Sequence, residues 1–373
     1  NILPKIPRVC LEEVQLCFTY AVDRLLITSM QNVLKAKAIS GQLNDLKVTE
    51  TNLKKVESVI SNAEETKCQT VESIDLLKTC KCFLELRKAV SDLDWDAISK
   101  CLQLKALKSL SDGDLGYEEY ITARTAEEEN NILLKLRAAI DKGAPIKLET
   151  PKTTFLDCTT VNTEDLESAI TFASEVGCKT KESEDLKKLA DYTLKIRQYL
   201  ECTEIEKAGN VCNDAIANNI NSEEITIVSM EYRNKNAVDK ITTALDHGEV
   251  NGAIGHLNLS TIQFHPLQLC LNDGNEISPK TMYLEELLGT GNRICKLREL
   301  VYKSLWNEVT EMYSKIDEDF TGMSKCCHTE LSKIRSEMLD KNASKVLQST
   351  VSAGSIAGLV GSLNLKDVEV SGL

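Results

Sequence analysis

Two stretches of this chain are gapless copies of each other, and that self-similarity limits its fold more than any other feature. Cys68-Gln69-Thr70-Val71-Glu72-Ser73-Ile74-Asp75-Leu76 and Cys178-Lys179-Thr180-Lys181-Glu182-Ser183-Glu184-Asp185-Leu186 agree at six positions, at a constant offset of 110 residues. The same offset carries Leu84-Glu85-Leu86-Arg87 onto Leu194-Lys195-Ile196-Arg197. It also carries Val56-Glu57-Ser58-Val59-Ile60 onto Leu166-Glu167-Ser168-Ala169-Ile170, and Ala63 onto Ala173. Repeats of this kind are supersecondary units whose apolar faces are buried by their neighbours.

A shorter element recurs inside the longer one. Leu134-Lys135-Leu136-Arg137 has the Leu-x-Leu-Arg form, Val238 to Leu245 resembles it without the arginine, and Cys295 to Arg298 and Ser332 to Arg335 are looser copies. Spacings of about 40 to 60 residues predict one helical hairpin per unit.

Local chemistry says why the unit is helical. Leu166, Ala169, Ile170 and Ala173 fall at i, i+3, i+4 and i+7, on one face of a helix. Gly177 then offers a left-handed stop. A second helix, opening near Ser183, carries Leu186, Leu189, Ala190, Thr193, Leu194 and Arg197. The endings Ala139-Ile140-Asp141-Lys142-Gly143 and Ala244-Leu245-Asp246-His247-Gly248 both read as helix C-termini closed by glycine. New short helices are expected after Asp94 and after Glu249, each behind an acidic N-cap region. Breaks are expected at Ser111 to Gly116, along Gly143 to Thr163, and at Asn272 to Asn275 with Ser278-Pro279. Gly289-Thr290-Gly291-Asn292-Arg293 reads as a turn, since it lacks the Lys-Ser/Thr of a phosphate loop and a preceding strand.

The expected fold is therefore all-α: an elongated array of repeated helical hairpins with a partly irregular C-terminal tail. Its segments would be 1–50 as N-terminal helices, 51–150 and 151–270 as two repeat units, 271–345 as C-terminal helices, and 346–373 as a tail containing Gly and Ser. Only six prolines and 17 glycines interrupt the 373 residues, which favours long helices over a turn-rich sheet protein.

The formal net charge of −13, with no basic stripe, argues against a nucleic-acid partner. The uncharged run from Val346 to Leu363 is too rich in Ser, Thr and Gln for a membrane span, so no membrane partner is expected. The 14 cysteines lie mostly within amphipathic stretches, where free Cys acts as a small hydrophobe. That placement implies a reducing, cytoplasmic compartment rather than a disulfide framework. The first residue is Asn1, which implies a chain that is processed or a piece of something longer.

One segment resembles a known family. From Val238 to Leu288, the residues Ile241, Ala244, Leu245, Asp246, Gly248, Glu249, Leu257 and Tyr283 form a helix stop, a short helix and a later tyrosine. This is similar to the helical repeats between the calponin-homology and IQ regions of IQGAP-type scaffold proteins. The chain has no IQ motif, calponin-homology domain or GAP-related domain. The resemblance therefore implies only a class: helical repeats of large cytoskeletal scaffolds.

Candidate chemical groupings each meet an obstacle. Cys326-Cys327-His328 lacks the CxxC knuckle and second pair of a zinc site. Cys80-Lys81-Cys82 is not a redox CxxC, and its copy at Ala190 and Tyr192 keeps neither cysteine. His247, His256 and His265 recur every nine residues, which fits neither helix nor strand periodicity. Asp112 to Glu119 cannot supply the oxygens of a calcium loop and reads as an acidic helix N-terminus. Neither catalytic residues, a cofactor nor a metal is expected. The polar positions that remain are Arg87, Arg137 and Arg197. Either they form a basic ladder for an acidic partner, or they pair between repeats, with Asp75 and Asp185 as the matched acids.

The functional expectation is a non-catalytic structural scaffold, or a protein-interaction component of a larger intracellular, cytoskeletal assembly. The alternatives are an adaptor that binds a filament or coiled coil directly, and a metal-assisted enzyme on a helical fold.

Overall fold

A computed structural model describes residues 8–149, 154–157, 161–246, 254–255, 257, 264–317 and 327–352. The fold is all-α: the described residues hold fourteen α-helices and two short antiparallel hairpins. The end of the expected tail, with His247, His256, Cys326 and the helix expected after Glu249, lies outside the described residues.

The chain divides into two compact units, one of residues 1–142 and 164–191, the other of 143–163 and 192–373. In the first, α1 (Arg8–Lys35) leads into a hairpin of β1 (Ile39–Ser40) and β2 (Lys47–Val48). Then follow α2 (Glu50–Thr66), α3 (Val71–Asp92), α4 (Trp95–Leu102), the single turn α5 (Lys105–Lys108) and α6 (Tyr117–Asp141). Next come β3 (Ile146–Glu149) and β4 (Thr154–Asp157), paired antiparallel, then α7 (Glu164–Val176), α8 (Lys181–Glu201) and α9 (Ile205–Ala217). The rest are α10 (Glu223–Asp246), α11 (His265–Glu276), α12 (Met282–Tyr302), α13 (Trp306–Asp317) and α14 (His328–Ser352).

One pattern runs through this order: a long helix, a helix pair, a short helix, then the next long helix. The copied stretches are the pairs α2–α3 and α7–α8, as the constant offset requires. The pair α11–α12 is a third, more diverged version. The sequence-based boundaries at 50, 150 and 270 mark neither the ends of the long helices nor the division at residues 142 and 164.

Several local expectations hold. Gly143 and Gly177 have φ of 79° and 83°, the left-handed conformation that lets the chain leave α6 and α7. Asp94 caps α4, its Oδ1 accepting the Ala97 N–H at 3.0 Å. The break expected along Gly143 to Thr163 is present, and it carries the antiparallel pair β3–β4. Others need correction. The expected tail begins inside a helix, since α14 runs on to Ser352.

Asn272 to Asn275 and Gly289 to Arg293 are helical rather than turns. Here glycine serves close helix approach. A Cβ on Gly291 would come within 2.6 Å of Leu271 Cδ2, and one on Gly274 within 3.0 Å of Leu288 Cδ2. At Gly209 in α9, a Cβ would fall 2.1 Å from Tyr232 Cγ on α10.

Each unit has its own core. In the first, Phe83, Leu86, Ile98, Met30 and Val56 are wholly enclosed or nearly so. In the second, Ile241, Leu267, Leu284, Leu297 and Ile334 play the same part.

Candidate functional site: a buried arginine repeated three times

Among the described residues, the largest fully buried side chains are charged: Arg87, Arg197 and Arg298, each 0–1% exposed. They lie at equivalent positions of α3, α8 and α12, on the second helix of each pair. Each makes a two-pronged ion pair with a glutamate on the next long helix. Arg87 Nε and Nη2 each donate at 2.7 Å to the two carboxylate oxygens of Glu119 on α6. Arg197 donates likewise to Glu224 on α10, at 3.0 and 2.9 Å. Arg298 donates to Glu330 on α14, at 2.7 and 2.8 Å. This parallel geometry is the strong form of the arginine–carboxylate bond.

The remaining donors turn backward along the chain. Arg87 Nη2 donates to Val33 O and Ala36 O at the C-terminal end of α1, at 3.3 and 3.2 Å. Arg298 donates to Ala244 O and Leu245 O in the last turn of α10, at 3.1 and 2.8 Å. Arg197 Nη1 donates to Asn162 O at 3.1 Å. Arg87 and Arg298 thus put a cation at the negative end of one long helix and pair it with an acid on the next. Burial pushes the carboxyls of Glu224 and Glu330 above the usual carboxylate range, although the facing guanidinium pulls the other way. No buried side-chain nitrogen or oxygen among the described residues lacks a hydrogen-bond partner.

A second polar device sits ten residues further along the long helices. Asp23 on α1 accepts the Thr70 hydroxyl and the amides of Gln69 and Thr70, the latter two at 3.1 and 3.2 Å. Thr70 in turn caps α3 by accepting the Ser73 N–H at 3.2 Å. Glu129 on α6 repeats this, accepting the Lys179 amide and the Thr180 hydroxyl while Thr180 caps α8. On α10 an amide replaces the acid: Asn234 Oδ1 accepts the Thr281 N–H at 2.9 Å, and Asn234 Nδ2 donates to Pro279 O at 3.2 Å. The two long helices α6 and α10 therefore each lock the pair before them and clamp the cap of the pair after them.

Desolvation raises the Asp23 carboxyl, but the Thr70 hydroxyl and the Gln69 and Thr70 amides outweigh it, so its pKa is lowered overall. Its contribution to stability is accordingly complete above the unfolded carboxylate value and lost as pH falls through the lower folded value. Replacing Asp23 with alanine should cost about 1–3 kcal/mol at neutral pH, the expected range for orphaned buried donors. Acid titration of both proteins followed by circular dichroism checks this, and the gap should narrow toward low pH.

The sequence-based sites separate into two groups. Arg87 and Arg197 are buried between helices, as the pairing view expects, but Asp75 and Asp185 are not their partners. Those acids face solvent and pair one turn along their own helices, with Lys78 at 2.9 Å and Lys188 at 3.3 Å. The true acids lie on a different helix. Arg137 does not belong to the set: it sits on α6 with its side chain half exposed, paired with Glu182 at 2.6 Å. Arg335, on α14, is exposed too. A Leu-x-Leu-Arg string arises on either helix type, and only the second helix of a pair aims it inward.

Cys327 is buried, and His265 is exposed at the start of α11. No group of three or more His, Cys, Asp or Glu among the described residues is placed to hold a metal ion. Burial pushes the Cys80 and Cys212 thiols up to about 12, far from thiolate reactivity. In the acidic stretch that runs into the first turn of α6, Asp114 accepts from Ser111, Glu118 pairs with Lys37, and Glu119 turns inward to Arg87. Comparison with family models, curated proteins and solved structures finds no match to the chain.

Proposed function

We propose that this chain is a non-catalytic structural scaffold, a protein-interaction component of a larger intracellular and cytoskeletal assembly. The observation that carries the reading is the arginine–glutamate lock repeated three times between successive helices. These charges are consumed in fixing how one helix pair follows the next. A buried, fully satisfied ion pair contributes less to stability than to selecting one arrangement among many. Repeated units held in register in this way offer long helical surfaces to other proteins. No described helix is long and apolar enough to cross a membrane.

Cross-linking mass spectrometry in cells tests the reading. Reproducible links from the exposed faces of the long helices to cytoskeletal proteins are the expected result, and a chain linked to no other protein would sink it. Co-sedimentation with purified actin or microtubules separates this from direct filament binding: a scaffold component stays in the supernatant, whereas an adaptor pellets. Elemental analysis addresses the enzymatic alternative, which a stoichiometric metal would favour.

A further inference from the structure

The four long helices share one register. Glu119, Glu224 and Glu330 have a fourth counterpart in Glu13 on α1, because Asp23 follows Glu13 by the same ten residues that separate Glu129 from Glu119 and Asn234 from Glu224. In α6, α10 and α14 this position and its neighbours are enclosed: Glu119, Tyr120 and Ala123; Glu224, Ile225 and Val228; Glu330, Leu331 and Ile334. On α1 the same three places are Glu13, Val14 and Cys17, and all are exposed, Val14 by 66%. Among the described residues nothing pairs with Glu13. The second half of α1 is ordinary by contrast, with Asp23, Leu26 and Met30 buried against its own helix pair.

We propose that the N-terminal half of α1 is a docking face for a helical hairpin of this chain's own class, one whose second helix carries an arginine directed at Glu13. The chain itself states what covers such a face. Three times over, an acid followed by apolar residues at the next position and one turn on is covered by an arginine-bearing second helix. An apolar occupant alone would leave the Glu13 carboxylate buried without a cation, which is costly. An arginine hairpin satisfies the carboxylate and covers Val14 and Cys17 together. This deepens the scaffold reading, since a scaffold of this type grows by adding hairpins of the same pattern.

The test supplies such a hairpin. A second copy of residues 8–113, with its own Cys17 changed to Ser, is placed directly before Arg8 of the chain in place of residues 1–7. The added Arg87 then precedes the original Glu13 by 32 residues, the spacing of Arg87 to Glu119. The readout is maleimide labelling of the original Cys17, followed by peptide mass spectrometry. Docking should slow labelling by about tenfold or more relative to the parent chain, as burial of a thiol within a folded unit requires. Arg87→Ala in the added copy, or Glu13→Gln in the original, should restore much of the parent rate.

Labelling at the parent rate overturns the proposal, whether or not circular dichroism shows the added copy to be helical. So does self-association of the parent chain that protects Cys17 equally in the Glu13→Gln protein, because the occupant then directs no cation at Glu13. No cytoskeletal protein is present in the assay, so its failure is separate from failure of the cross-linking test.

Discussion

Replacing Arg298 with alanine should destabilise the unit that carries it by about 3–5 kcal/mol, the range for a buried ion pair that loses one partner. The loss is large because Glu330 stays behind, 5% exposed, with no compensating cation. The carbonyls of Ala244 and Leu245 lose their donor as well. Replacing both partners, Arg298→Met with Glu330→Leu, should instead be close to neutral, because neither charge must then be desolvated. Urea denaturation followed by Trp306 fluorescence measures both, as Trp306 packs against the same core. Equal losses in the single and double variants would refute the lock.

The single variant should also behave distinctively with pH. The folded-state pKa of Glu330 is already raised by burial, and removing Arg298 takes away the influence that opposes the rise. A carboxyl with a raised folded pKa takes up its proton before the unfolded chain does. Between its unfolded and folded values, stability therefore increases as pH falls. The deficit of the Arg298→Ala protein should shrink on acidification from neutral pH toward the ordinary carboxylate range. The sign is opposite to that of wild-type Asp23, whose lowered pKa makes it lose stability on acidification.

The second large effect concerns Phe83. Its ring is wholly buried in the first unit's core and lies 5.9 Å from the Arg87 guanidinium. Truncation to alanine should cost about 3–5 kcal/mol from lost burial and the residual cavity. The ring also explains Gly116, where a Cβ would come within 2.4 Å of Phe83 Cζ and where φ is +84°. Equivalent positions on α8 and α12 hold Thr193 and Ile294, both buried. The repeat thus preserves the place and not the volume. Trp95 packs against this core, so its fluorescence during urea denaturation reports the loss. A change within about 1 kcal/mol would mean that the site collapses fully around the missing ring.

Much of the local structure was legible because it depends on neighbours in sequence. Helix pairs follow from apolar spacing, and stops such as Gly143 and Gly177 follow from the glycine that tolerates positive φ. Glycines elsewhere misled. Gly274 and Gly291 read as chain breaks, whereas they lie where α11 and α12 approach closely, a contact invisible before the helices are packed.

Sequence alone determined that the chain is all-α, that it is built on copied helix pairs, and that Arg87 and Arg197 hold equivalent places. Tertiary structure alone decided which arginines are locks, that Arg298 is the third and Arg137 is none, and that Glu119, Glu224 and Glu330 are their partners. The reason is geometric. The pairs are separated by 32, 27 and 32 residues, because the connection between the arginine helix and the next long helix varies in length. No constant offset therefore carries both arginine and acid. Burial of a charge depends on which helix face meets another, and only the packed helices fix that.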